Sequence, residues 1–176
     1  GVVIPGGFGE TGIEEIIKGI EYCRLNNIPT MGICLGMQLS VIEFARNVLG
    51  IKNASSSEFG TESDTFIVDI MSEWIDEKGL KQIIEKNGNL GGTMRLGEYV
   101  SKLNQNSLAH KLYKKLIIKE RHRHRYEVNI NFKKQFEENG MIFSGLSLDG
   151  LLPEIIEIPD HPFFIAGQFH PEFKST

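Results

Sequence analysis

Only two cysteines, Cys23 and Cys34, occur in 176 residues. Two cysteines make no disulfide framework, and the simplest expectation is a reducing, cytoplasmic setting. No apolar run is long enough to span a bilayer and no signal-peptide pattern is visible, so no membrane partner is expected. Positive charge is not in excess: the formal net charge is -4 at pH 7, which gives no general reason to expect nucleic acid. Internal repeats and low-complexity segments are also lacking. What remains is an ordinary globular composition and the length of one domain, 1–176, with room for a core. The chain opens inside an apolar run at residues 1–4 and stops at Lys174-Ser175-Thr176 directly after a motif-rich segment. It is therefore expected to be a piece of a longer protein.

The most informative stretch is Met31-Gly32-Ile33-Cys34-Leu35-Gly36-Met37-Gln38. A short apolar run leads in and a helix-like pattern follows, so Cys34 stands at a tight strand-to-helix turn. Glycines two before and two after it fit a nucleophile elbow. A thiol there would lie at a helix N-terminus, where the dipole and free N–H groups favour thiolate. The N–H of Leu35 would face a developing oxyanion. A buried structural cysteine is the alternative, because free cysteines are among the most buried residues.

Along the chain, residues 1–4 read as a buried strand. Pro5-Gly6-Gly7-Phe8-Gly9 is a loop that lets backbone approach a ligand, though an ordinary turn explains it equally. No Gly-Lys-Ser/Thr follows, so it is not a Walker A loop. Ile13, Ile16, Ile17 and Ile20 recur at helical spacing, and Cys23 continues that face as a core residue. Val41, Ile42, Ala45, Val48 and Leu49 give a second helix face, with Gly50 as its expected C-cap. Residues 55–60 read as a polar loop, 65–70 as a strand, 72–86 as one or two short amphipathic helices, and 93–103 as extended. Ser107 is a plausible N-cap for a short helix. Residues 131–139 look helical; 141–146, 151–158 and 163–169 look like strands. Strand, loop and helix units in succession predict an α/β domain whose ligands sit beyond the carboxyl ends of parallel strands.

Residues 119–129 form the most basic segment. Alternation puts Arg121, Arg123 and Arg125 on one side of an extended chain and His122 and His124 on the other. Flanking arginines disfavour a cation, so no metal site is expected there. A carboxylate or anionic small molecule is the better use of these arginines. Cys34, His170 and Glu172 make a candidate catalytic triad: a nucleophile, a base for its proton, and a carboxylate that fixes the base's tautomer.

Gly32-Ile33-Cys34-Leu35-Gly36 and Phe169-His170-Pro171-Glu172 resemble the two signatures of the class I glutamine amidotransferases. Within that family, Pro5-Gly6-Gly7-Phe8-Gly9, Gly92-Thr93-Met94-Arg95-Leu96-Gly97 and residues 43–48, 120–129 and 168–173 are similar to the glutaminase domains of CTP synthases. The resemblance implies a three-layer α/β sandwich with a central, mostly parallel sheet of the flavodoxin-like kind. It implies that Cys34 attacks the glutamine side-chain amide, that His170 shuttles the proton and that Glu172 orients His170. It implies oxyanion and glutamine contacts at Gly7, Leu35, Gly36, Met37, Gln38, Glu58 and Arg125. No cofactor is implied in this domain. A linked synthetase domain would use ATP and Mg2+ to aminate UTP, with GTP as activator, in a homo-oligomer. Family members usually carry arginine where Thr11 stands, which puts the GTP response in question, and residues 72–89 form a longer segment than usual. Two other classes fit the same fold: a γ-glutamyl hydrolase or peptidase, and an inactive glutamine-binding regulatory domain.

Overall fold

The computed structural model describes residues 1–9, 11–60, 63, 65–70 and 94–173, with backbone alone at 73–75, 81–83 and 174. Ile13, Ile17, Ile20 and Cys23 form the buried stripe of helix α1 (Ile13–Leu25). Asn26 closes that helix and Asn27 takes a left-handed backbone, φ 55°, ahead of Pro29. In helix α2 (Leu35–Asn47), every residue from 35 to 45 is buried. A helix buried all round must lie between layers. Here α2 packs on α1 on one side and on the sheet on the other. Glu43 on α2 is fully buried and clamped by Arg24 of α1, whose Nε donates to Oε2 at 2.9 Å and Nη2 to Oε1 at 2.7 Å. The expected cap at Gly50 lies further on: α2 ends at Asn47 with Val48 as its cap, and Gly50 has φ 74° in the loop beyond.

The strands are β1 (Val2–Ile4), β2 (Thr30–Ile33), β3 (Ala54–Ser56), β4 (Thr65–Ile70), β5 (Glu73–Ile75), β6 (Lys81–Ile83), β7 (Arg95–Leu103), β8 (Ile117–His124), β9 (Tyr126–Val128), β10 (Ile142–Ser147), β11 (Pro153–Glu157) and β12 (Phe164–Gly167). Two short α-helices, α3 (Leu108–Tyr113) and α4 (Lys133–Glu138), and three 3-10 turns, Ser57–Phe59, Ile130–Phe132 and Pro171–Lys174, complete the described elements. Ser107 caps α3 as its sequence predicts, with Oγ accepting from the His110 N–H at 3.0 Å.

The main sheet runs β1-β2-β12-β11-β10-β7-β8. Side chains alternate across it. Phe164, Ala166 and Ile156 join the core beneath α1, α2 and α4, while Ile165 and Ile155 face a second core with Ala109 of α3. This is the three-layer α/β sandwich the motifs imply. The parallel part is confined to β1-β2-β12, and the other four pairings are antiparallel. Geometry requires this for β10 and β11, because a parallel crossover needs a dozen or more residues and only five separate them. Both candidate catalytic motifs sit on the parallel part.

Three local expectations change. Strand β1 is an edge rather than a buried strand, with one neighbour in the sheet and Val3 60% exposed. Residues 54–56 are not loop: β3 pairs parallel with β4, which pairs antiparallel with β9 in a small second sheet. A single 3-10 turn, Ser57–Phe59, follows, capped by Ser56 Oγ accepting from the Glu58 N–H. Within 72–86, the described backbone is an antiparallel β5–β6 pair instead of helix. Trp74, Ile75 and Ile83 are aromatic and β-branched types that suit strands, and their spacing over so short a run does not distinguish the two states. Residues 84–93, which include the Gly92-Thr93 pair, lie outside the described residues. No described helix is long and apolar enough to cross a membrane.

Candidate active site

Strands β2 and β12 lie side by side and parallel, with Ile33 opposite Gly167. Chain continuity then brings Cys34 and the 168–172 segment to the same sheet edge, where the Cys34 N–H donates to the Gly167 carbonyl at 2.7 Å. Cys34 caps α2 with φ 53° and ψ -103°, a backbone state rarely adopted by a side-chain-bearing residue. The two glycines predicted for the elbow are both sterically required. A Cβ on Gly32 would lie 2.8 Å from Ala166 Cβ and 2.9 Å from the Gly36 backbone, and one on Gly36 would strike the Ile4 carbonyl oxygen.

The expected thiolate is not the resting state. Cys34 is only 3% exposed, and burial pushes its thiol up to about 12. The Leu35 N–H and the Gln168 amide favour the anion, while Glu127 and Glu58 oppose it. The helix N-terminus is outweighed by desolvation here, so the proton must leave during the reaction.

A base stands beside it. His170 Nδ1 is 2.7 Å from Glu172 Oε1. A carboxylate accepts, so Nδ1 carries the hydrogen, and the neutral imidazole then has its lone pair on Nε2. That Nε2 is buried and has no hydrogen-bond partner among the described residues. The His170 peptide N–H is anchored on the Arg121 carbonyl at 2.8 Å, and Phe173 stacks on the ring. Imidazole and cysteine meet at Gly6. A Cβ there would lie 2.7 Å from His170 Cε1 and 3.5 Å from Cys34 Cβ. In the sequence Gly6 is one loop glycine among several, because its neighbours are more than 25 residues away in the chain.

Above the sulfur is a cavity of about 160 Å3 lined by Gly7, Phe8, Cys34, Gln38, Glu58, Met94, His124, Arg125 and Tyr126. It is smaller than the roughly 300–1,000 Å3 typical for drug-sized ligands and suits a single amino acid. Four expected contacts, Gly7, Gln38, Glu58 and Arg125, line it. Glu58 Oε1 accepts from the Gly9 N–H at 3.3 Å, and burial raises its carboxyl while that bond and the Arg125 charge lower it. Arg125 Nε is buried and has no partner among the described residues. The Leu35 N–H faces the sulfur. Gly36 and Met37 do not line the cavity. Met37 is in the core with its N–H on the Cys34 carbonyl, and Gly36 is packed under Ile4.

Beneath the cavity lies a charge cluster that no motif revealed. The alternation of β8 is as expected, with His122 and His124 buried. Arg95 Nη1 donates to Glu127 and Nη2 to Glu154, each at 2.9 Å, and its guanidinium lies 4.4 Å over the Tyr99 ring. Burial works against the Arg95 charge, but the two carboxylates outweigh it. Burial keeps both histidines neutral and raises both glutamates. The tautomers then follow in order. The Tyr126 carbonyl accepts from His124 Nδ1 at 3.1 Å, so His124 Nε2 accepts from His122 Nδ1 at 2.9 Å. His122 Nε2 is left with a lone pair 3.4 Å from Glu154 Oε2, a contact that is favourable when Glu154 holds a proton.

Residues 1–176 match the family model for glutamine amidotransferase class-I. The chain is 58% identical over 175 residues to a CTP synthase of Pelagibacter ubique and 53% identical over 175 residues to one of Novosphingobium aromaticivorans. Each alignment covers 99% of this chain and 32% of the relative, so the chain spans about a third of the length of these curated relatives. Among solved structures, the Trypanosoma brucei CTPS glutaminase domain with bound acivicin aligns with a TM-score of 0.86 at 37% identity, covering 99% of this chain and 64% of that one.

Proposed function

The chain belongs to the class I glutamine amidotransferases, and from that premise we propose that it is the glutaminase domain of a CTP synthase. The observation that carries this reading is the buried Cys34 on its elbow, with the Glu172-oriented His170 beside it and an amino-acid-sized cavity above it. Glu58 holds the α-ammonium of glutamine and Arg125 its α-carboxylate, a charge-assisted pairing of each end. His170 Nε2 takes the Cys34 proton as Sγ attacks the side-chain amide carbon. The N–H groups of Leu35 and of the Gly7 loop stabilise the oxyanion. Collapse of the tetrahedral adduct breaks the C–N bond, and His170 gives its proton to the departing ammonia. Water, deprotonated by His170, then attacks the thioester and releases glutamate with the thiol restored.

Ammonia is consumed by a synthetase portion of the full-length protein, which aminates UTP with ATP and Mg2+, is activated by GTP and assembles as a homo-oligomer in the cytoplasm. None of those ligands is assigned to a residue of this chain. The small cavity bounded by one acid and one guanidinium suits a free amino acid better than a peptide. Labelling with an electrophilic glutamine analogue, read by intact mass, tests the site. One adduct is expected, lost in Cys34→Ser, kept in Cys23→Ser and blocked by glutamine. Labelling that glutamine does not block would overturn the reading.

A further inference from the structure

Gln168 lies two residues before His170, is fully buried, and does not line the cavity. Its Nε2 donates to Cys34 Sγ at 3.8 Å, within reach of a sulfur acceptor. Amide oxygen and nitrogen are alike in shape, so its orientation must be derived from its neighbours. The Tyr126 carbonyl is an obligate acceptor, and Gln38 Nε2 lies 3.0 Å from it. That fixes the nitrogen end of Gln38. The same Nε2 lies 3.3 Å from Gln168 Oε1, so the oxygen of Gln168 must face Gln38. Its nitrogen must then face the sulfur. A flip of Gln168 would set two amide nitrogens against each other in a site without solvent.

We propose that Gln168 is a positioning residue for Cys34: a relay from the Tyr126 carbonyl through the Gln38 amide holds a Gln168 N–H on the sulfur, where it stabilises the negative charge that forms as the thiol gives up its proton. The Arg123 carbonyl, 3.9 Å from Sγ on β8, accepts the thiol proton at rest and so favours the neutral form. Donor and acceptor thus oppose each other across one sulfur. The other charged and titratable groups around it are His170 beyond β12, Glu58 on the 3-10 turn, Glu127 on β9, and His124 and Arg125 at the end of β8. The relay also spends both Gln38 N–H bonds, so Gln38 meets a ligand only through its oxygen.

The inference rests on Cys34 being the nucleophile, and its deciding readout, the alkylation rate, does not depend on glutamine. The rate of Cys34 alkylation by iodoacetamide is measured between pH 8 and 10 in the full chain, resolved by peptide mass from Cys23. A hydrogen bond to a charged group alters thiolate population about ten- to a hundredfold. The greater nucleophilicity of a more basic thiolate offsets part of this, leaving a fall of about 3- to 15-fold for Gln168→Met. Gln38→Met, which frees Gln168 to turn, gives a fall of similar size without touching the sulfur. In turnover, Gln168→Met lowers kcat and leaves KM for glutamine within about twofold. Wild-type alkylation rates in folded Gln168→Met overturn the proposal. If that variant does not fold, a wild-type rate in Gln38→Met overturns it equally. Failure of glutamine to protect the wild-type thiol would count against the glutaminase reading and leave the relay intact.

Discussion

Replacing Gly6 with alanine separates catalysis from stability. The added Cβ would lie 2.7 Å from His170 Cε1, where ordinary contact begins near 3.4 Å, so the ring must retreat by about 0.7 Å. Gly6 does not have a left-handed backbone, so alanine brings no backbone strain. The obstructed atom is the tip of a side chain whose ring stacks on the half-exposed Phe173. The fold therefore yields cheaply, but what yields is the base. A misplacement near 1 Å costs about a hundredfold in rate, and kcat for glutamine hydrolysis should fall by about that factor. Glutamate release and a thermal melt are measured together. Gly19→Ala is the control: it sits on the exposed face of α1 with open space around it and gains about 0.5–1 kcal/mol of stability with unchanged activity. If Gly6→Ala turns over within twofold of wild type, His170 does not act from the position described.

Three further outcomes follow from the packing and the charges. Removing the base with His170→Ala should cost about 10²–10⁴-fold in kcat, the usual worth of a placed acid–base group, with rates read from ammonia release. Arg24→Ala leaves the fully buried Glu43 carboxylate without its clamp and should cost about 3 kcal/mol in urea unfolding; a loss below 1 kcal/mol would mean that water replaces the arginine. Stability should also vary with pH. Buried His122 and His124 titrate below their ordinary 6.5, so the unfolded chain binds more protons there and stability rises with pH up to about 6.5. Glu127 and Glu154 are raised above their ordinary 4.5, so the folded chain keeps protons that the unfolded chain has shed, and stability falls as pH rises. The two effects oppose each other up to about 6.5, and only the carboxyl effect remains above it, toward about 8 for Glu127. Thermal melts should therefore decline across that upper window, and Glu154→Gln should flatten the decline; an unchanged slope would place the proton elsewhere.

What the linear sequence reveals here is local. The Gly32 and Gly36 spacing marks the elbow because a strand-to-helix turn this tight admits nothing larger beside Ile4 and Ala166. The isoleucine stripe marks α1, and the alternation through 121–125 separates His122 and His124 from the arginines, though only the structure shows that the histidines face inward. The rest depends on neighbours distant in sequence. Gly6 matters because of His170, and Gln168 because of Gln38 and, through it, Tyr126, contacts that each span more than eighty residues. The helix N-terminus favours the Cys34 thiolate as its sequence position implies, but the burial that outweighs it is a property of the assembled site. Glu127 and Glu154 look like ordinary strand carboxylates until Arg95 is placed between them. The antiparallel half of the sheet is legible only in its short β10–β11 and β11–β12 connections.

The central claim is that Cys34 carries the acyl group of glutamine. Its most direct test is rapid acid quench of the full chain during turnover, followed by peptide mass analysis. A glutamyl adduct is expected on the peptide containing Cys34. It should be absent in Cys34→Ser and released by hydroxylamine, as a thioester is. Glutamate produced at the normal rate with no adduct at Cys34, or with the adduct on another residue, would contradict the account.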